Sequence, residues 1–317
     1  MVDAVAAEHY LDRCAPKIDF NRCPPPDYDA RKRFAYMSSS TSPGMDGPPN
    51  VAWPAREKCT EALWQVMTGM PSGGPLPDEA NATVQAFFPR GEEPDDAEHI
   101  GCRRDPSKVR VLGLRNTSLE IISSAMSAAM AAVAAGVVPA SQPGIIHRRS
   151  CGYNILELDV ESRAASADAN AMTNLPVLRS LDVAQAIPSF ARHFVRPALT
   201  VMGAPEAALN FFDLVCCNIL AMGSGWSGAL YAMGTSCFLL GLGQKLEHRG
   251  CGPCRACADD LGLVLAAVIH LARLEGVMVL VEDLAGLVPK LAKCHIVPLA
   301  GPVDDELVNK LRAALAV

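Results

Sequence analysis

The chain has 317 residues, half of them hydrophobic, with 28 Lys and Arg set against 34 Asp and Glu for a formal net charge of -6. That supplies a core for one large domain or two ordinary ones, and the acidic balance excludes the broad basic surface that non-specific nucleic-acid binding uses. Twelve cysteines are scattered through a long chain that opens Met1-Val-Asp-Ala with no basic, apolar leader, which predicts an intracellular protein with mostly reduced thiols; nucleus and cytoplasm are not distinguished.

In chain order, residues 1 to about 50 are rich in Pro, Ser and Asp and lack sustained periodicity, so 1–37 is expected to be a loose N-terminal arm. Ala62, Leu63, Val66, Met67 and Met70 recur at helical spacing over Glu57 to Met70, and Pro71 ends that run. Thr83 to Phe88 and Val109 to Leu114 predict strands separated by an acidic loop, Glu92 to Glu98. Thr117-Ser-Leu-Glu120 reads as a capping box that opens a long helix ending near Gly136. A further helix is expected from Asn154 to about Ala171, with Leu156, Val160 and Ala164 on its apolar face.

Leu175 to Leu181 reads as a buried strand delivering Asp182 at its carboxyl end. Pro205 suits the first turn of a helix running to Met222. The run Arg255 to Leu265 predicts a hairpin with Asp259 and Asp260 as its two-residue tip. A helix from Ala266 to about Glu275, a strand over Lys293 to Pro298, and a closing helix capped by Asp304 or Asp305 complete the chain. Strands and helices mix without a regular βαβ beat, which predicts an α+β fold with a small antiparallel sheet flanked by helices. The uncharged stretches Ile121–Ile146 and Leu214–Gln244 are long enough to span a bilayer. The first is broken by Pro139 and Pro143 and the second holds six Gly, so both read as buried elements and no membrane partner is expected.

The residues best suited to chemistry are Asp182, Asp259 and Asp260. Carboxylates brought to one sheet edge by two strands can hold a pair of Mg²⁺ ions that align a hydroxyl and a triphosphate for in-line displacement. A solvated acidic turn is the plainer alternative. Cys251-Gly-Pro-Cys254 has the spacing of a redox motif, and His248, Cys251, Cys254 and Cys257 recur every third residue, as metal ligands can. The other histidines show no ligand spacing, and no phosphate-cradling glycine loop or nucleophile elbow is present.

Taken in order, these segments resemble the reverse transcriptase of non-LTR retrotransposons from about Ser38 to Leu299. Ser42-Pro-Gly-Met-Asp-Gly47 resembles that family's Ser-Pro-Gly-Pro-Asp-Gly, and Phe87-Phe-Pro-Arg-Gly91 resembles a strand ending in Pro-Lys-Gly. Val109-Arg-Val-Leu-Gly-Leu-Arg-Asn-Thr117 and Gln142-Pro-Gly-Ile-Ile146 resemble its next two segments. Leu181-Asp-Val-Ala-Gln-Ala-Ile-Pro-Ser189 and Cys257-Ala-Asp-Asp260 resemble the two palm motifs that carry the catalytic aspartates. Leu287-Val-Pro-Lys-Leu-Ala-Lys-Cys294 resembles the later Leu-Lys-Pro-x-Lys-Cys segment.

The resemblance implies a right-hand polymerase arrangement, with a fingers-like region over 38–174, a palm-like region over 175–299 and a C-terminal helix over 300–317. It implies RNA-directed DNA synthesis with two Mg²⁺ ions, an RNA template, a DNA primer and deoxynucleoside triphosphates, and it leaves protein partners unknown. Asp182 and Asp259 would hold the metal, Asp260 would support them, Arg110 would lie near the incoming triphosphate, and Lys293 near the palm.

Departures point to a truncated or degenerate copy. The Gly-x-x-Gln-Gly-x-Pro-Leu-Ser segment between the palm motifs is missing, as though its flanks were joined within Tyr231 to Leu242. Ile187 replaces an aromatic residue, Pro143 an Arg, and Ser118-Leu119-Glu120 a stretch that commonly carries a Lys. No thumb, endonuclease or RNase H segment is evident. Activity is therefore expected to be weakened or lost, with a non-catalytic nucleic-acid-binding remnant as the alternative and a cysteine-based redox or metal protein as a third reading.

Overall fold

A computed structural model describes residues 4–22, 24–37, 44–45, 47–55, 57–76, 78–91, 104–105, 108–169, 175–216, 225–246, 251, 254–301 and 304–315. The fold is α+β, mainly helical, with one two-stranded and one four-stranded antiparallel sheet. The acidic loop 92–98 and His248 lie outside the described residues, as do parts of the Ser42–Gly47 and Cys251–Cys254 motifs.

Two helices, α1 (Ala4–Cys14) and α2 (Tyr28–Met37), occupy the stretch that reads as a loose arm. Ala7 and Leu11, one turn apart, are buried, and Tyr10 stacks on Phe238 with ring centroids 5.5 Å apart. A helix of only 11 residues offers too few repeats for its period to stand out, so tertiary packing rather than pattern fixes it. The expected α3 (Glu57–Gly69) buries Leu63 and Met67 and leaves Val66 exposed. β1 (Thr83–Pro89) and β2 (Val109–Arg115) pair antiparallel from Thr83↔Arg115 to Pro89↔Val109.

The long helix α4 (Thr117–Val137) forms, but not through the expected capping box. The Thr117 hydroxyl donates to the Pro48 carbonyl and accepts from the Trp53 indole, while the Glu120 amide bonds to Asn116 O. By length and composition α4 could cross a bilayer, with 39% of its most apolar window buried. In α5 (Cys151–Ala167), capped by Ser150, the expected face is inverted. Leu156 and Val160 are each 63% exposed and Asn154 is buried. The Asn154 amide holds this face inward, donating to Ser141 O at 3.0 Å and Ala256 O at 2.7 Å; buried without those bonds it would be left unsatisfied.

β3 (Val177–Asp182) is followed by the short α6 (Ala186–Ser189), α7 (Arg192–Met202) and α8 (Glu206–Val215). α8 stops well before the expected Met222, which lies outside the described residues. α9 (Ser227–Leu246) is buried through most of its first three turns and has no apolar stripe, the reason that periodicity missed it. β4 (Cys254–Cys257) and β5 (Asp260–Leu265) form the expected hairpin, α10 (Leu271–Ala285) starts later than expected, and β6 (His295–Pro298) precedes α11 (Asp305–Leu315), whose Leu307 amide bonds to the Asp304 carboxylate.

The chain divides into two compact units. One comprises Met1–Cys23, Met130–Pro205 and Gly228–Val317 and contains the four-stranded sheet in the order β4-β5-β3-β6. Its core includes a run of aromatic rings from Tyr10 through Phe238, Phe194 and Phe190 to Tyr231, with successive centroids 5.5, 4.7, 5.9 and 5.4 Å apart. The other, Pro24–Ala129 with Glu206–Ser227, holds the two-stranded sheet and a separate core in which Phe211 meets Trp226 at 4.8 Å.

Candidate carboxylate site

At one end of the four-stranded sheet, Asp182 closes β3 and Asp260 opens β5, and the two are a paired rung of the antiparallel ladder. Such a rung sets Cα atoms about 5 Å apart. The hairpin differs by one residue from the sequence reading. Cys257 pairs with Asp260, so the two turn residues are Ala258 and Asp259, and Asp260 belongs to the strand. Ala258 takes the left-handed conformation, at φ +56. The Asp259 carbonyl accepts from the Val183 amide at 3.3 Å, which ties the turn to the chain just beyond Asp182.

Electrostatics show how closely the carboxylates are gathered. The Asp260 carboxyl is pushed above the ordinary carboxylate range by desolvation first, then by the Asp259 and Asp182 charges, while Lys293 pulls it back. Lys293 reaches the site because the 3₁₀ turn Leu291–Lys293 follows a hydrogen bond from the Lys290 amide to Asp182 O at 2.7 Å. Its ammonium lies 2.7 Å from Asp182 Oδ2, and the Asp182 side chain is only 14% exposed. Two of the expected residues thus form an ion pair. Arg110 is on β2 in the other unit, with an exposed side chain.

What sequence reasoning missed is the support beneath the turn. Gln142, 1% exposed, accepts from the Ala258 amide at 2.9 Å and donates to the Ala258 carbonyl at 3.1 Å, so one side chain satisfies both polar groups of the left-handed residue. Gly144 lies so close that a Cβ there would stand 2.2 Å from Ala258 N. The 138–149 loop is held in turn by Arg149, whose guanidinium donates to the carbonyls of Ala135, Val138, Pro139 and Gln142. The resemblance of Gln142-Pro-Gly-Ile-Ile146 to a family segment marked this stretch, but nothing in the residues announced its contact with the hairpin.

Beside the turn a mostly apolar cleft, open to solvent, is lined by Tyr231, Phe238, Leu242, Met278 and Leu287 together with Asp259 and Asp260. The Tyr231 hydroxyl is pushed far up by burial and then by the two aspartates, so it stays protonated as a donor. Cys257 is joined to Cys151 in a disulfide with Cα atoms 5.9 Å apart, so one pair of thiols is oxidised and the Cys257 sulfur is not available as a metal ligand. Cys254 is a buried thiol outside any disulfide, pushed up to about 12 by desolvation. Among the described residues no group of three or more His, Cys, Asp and Glu side chains is gathered tightly enough to hold a metal ion. No protein-family model matches the chain, and no curated protein matches it in sequence.

Proposed function

We propose that this corner is the metal-binding centre of a palm like that of non-LTR reverse transcriptases, in a chain whose fingers-like region covers 38–174 and whose palm-like region covers 175–299. The observation that carries the reading is the rung Asp182↔Asp260 with Asp259 in the adjoining turn, two strands delivering three hard oxygen donors to one edge. The donor set suits the ion. The Asp259 and Asp182 charges raise the proton affinity of Asp260, a repulsion that a divalent cation would relieve. Asp182 and Asp259 would hold two Mg²⁺ ions, which when bound supply Lewis-acid alignment of a primer hydroxyl and a deoxynucleoside triphosphate.

The remaining roles belong to the chain. Asp260 adds negative charge behind the two ligands, and Gln142 fixes the turn that presents Asp259. Lys293 occupies Asp182 in the resting site and would exchange that partner for a phosphate oxygen. Arg110 would meet the triphosphate, and the RNA template with its DNA primer would enter inside the cell, away from any membrane. Primer extension on an RNA template with Mg²⁺ should give product from the native chain and none from Asp259→Ala; equal background from both sinks the proposal.

The Lys293–Asp182 ion pair favours one second reading, a non-catalytic nucleic-acid-binding remnant, because a bound ion must displace an ammonium already in place. In that case the chain binds an RNA–DNA hybrid with a steep loss of affinity in salt and extends nothing. Absence of hybrid binding at low salt excludes it.

A further inference from the structure

The hairpin that carries the aspartates is tied to the start of α5 by one covalent bond and several weaker ones. Cys151 is the first residue of α5, and Cys257, the last of β4, is separated from Asp259 only by Ala258. Around the bond, Asn154 holds Ala256 O, Arg255 pairs with Glu157, the Ala256 amide bonds to Ser141 O at 2.7 Å, and Gly262 packs under Leu158. Both bonded cysteines are partly exposed, so a small thiol can reach them. The strand is thus held by contacts that survive without the bond, and among its ties to α5 the bond lies closest to the turn.

We propose that Cys151 and Cys257 form a reversible redox latch that fixes the outer strand and turn of the carboxylate hairpin onto α5. In the reducing direction a thiolate of glutathione attacks Cys257 Sγ. The Cys151–Cys257 bond breaks, a mixed disulfide forms, and Cys151 leaves as a thiolate beside the opening amides of a helix, where negative charge is favoured, and then takes a proton. A second glutathione thiolate resolves the mixed disulfide. The protein gains two electrons and two protons as two thiols, and two glutathiones become one glutathione disulfide. Opening leaves β5 on β3 through the ladder Val177↔Leu265 to Asp182↔Asp260, while β4 and Ala258 keep their hydrogen bonds, the Arg255–Glu157 ion pair and the packing of Cys254 and Ala256 but lose the covalent tie. The latch is independent of whether the site polymerises.

The test uses the full chain equilibrated in glutathione buffers of graded ratio, alkylated for peptide mass spectrometry and followed in parallel by hydrogen exchange. In reducing buffer Cys151 and Cys257 should label together, and the segment 254–260 should exchange roughly tenfold faster while 177–182 is unchanged. Cys151→Ser should show the same fast segment even in oxidising buffer. The latch is overturned if the pair resists millimolar dithiothreitol in the folded protein. It is overturned equally if labelling leaves exchange of 254–260 unaltered, or if 177–182 loosens with it.

Discussion

Asp260 faces two like charges and one opposite one, and the like charges together with desolvation win. Its folded-state pKa is raised, so the sign is the reverse of a salt-bridged carboxylate. Below the ordinary carboxylate range the folded and unfolded chains both hold the proton and the site is unstrained. As pH rises through that range the unfolded chain ionises first, and stability falls until the folded group ionises too. Asp260→Asn should therefore leave the stability read from urea melts nearly unchanged at about pH 3 and raise it at neutral pH by less than about 1 kcal/mol, since the side chain is largely in water. The turn residue Ala258 has the opposite character, because its left-handed backbone is stabilised by Gln142. Gln142→Leu fills the same space and leaves the Ala258 amide and carbonyl without partners. A loss of about 2–3 kcal/mol in denaturant melts is expected, and Gly144→Ala should be worse tolerated still, since its new Cβ would strike backbone.

At the scale of elements, β3 puts Val177, Arg179 and Leu181 on its buried face, and the Arg179 guanidinium, 7% exposed, is neutralised by Glu275 of α10 at 3.0 Å. Removing only the acid strands a charge in the interior, so Glu275→Gln should cost about 2–3 kcal/mol. Arg179→Met, which removes the charge itself, should be close to neutral. Equal losses in the two variants would show that the pair is held by packing and not by charge. The same elements show what a sequence can reveal. β3, β4 and β5 were legible because short β-branched and aliphatic runs end at Asp182 and flank an acidic pair, and local chemistry dictates both features. The identity of the turn residues was not, because Asp259-Asp260 looks like a tip while the pairing Cys257↔Asp260 is set by register with β3. The face of α5 failed for a related reason: the buried residue is Asn154, and the partners that satisfy its amide, Ser141 and Ala256, are not marked by any local pattern. α1 and α9 were missed because one is too short and the other too uniformly apolar for a period to show.

For the whole molecule, two cores in separate units predict that heat does not unfold the chain in one step. Calorimetry should give a calorimetric enthalpy larger than the van't Hoff value, whereas equality would mean that the units melt as one.

The place of β3 at the centre of its sheet also fixes an order in time. Its ladder partners, β5 on one side and β6 on the other, both follow it in the chain, and β5 begins roughly eighty residues later. During synthesis Asp182 therefore leaves the ribosome on a strand with neither neighbour made, its apolar residues Val177 and Leu181 uncovered until Leu265 has emerged. A nascent chain halted before Cys254 should be bound by chaperones and cut readily by protease near Val177, and one released after Pro298 should resist.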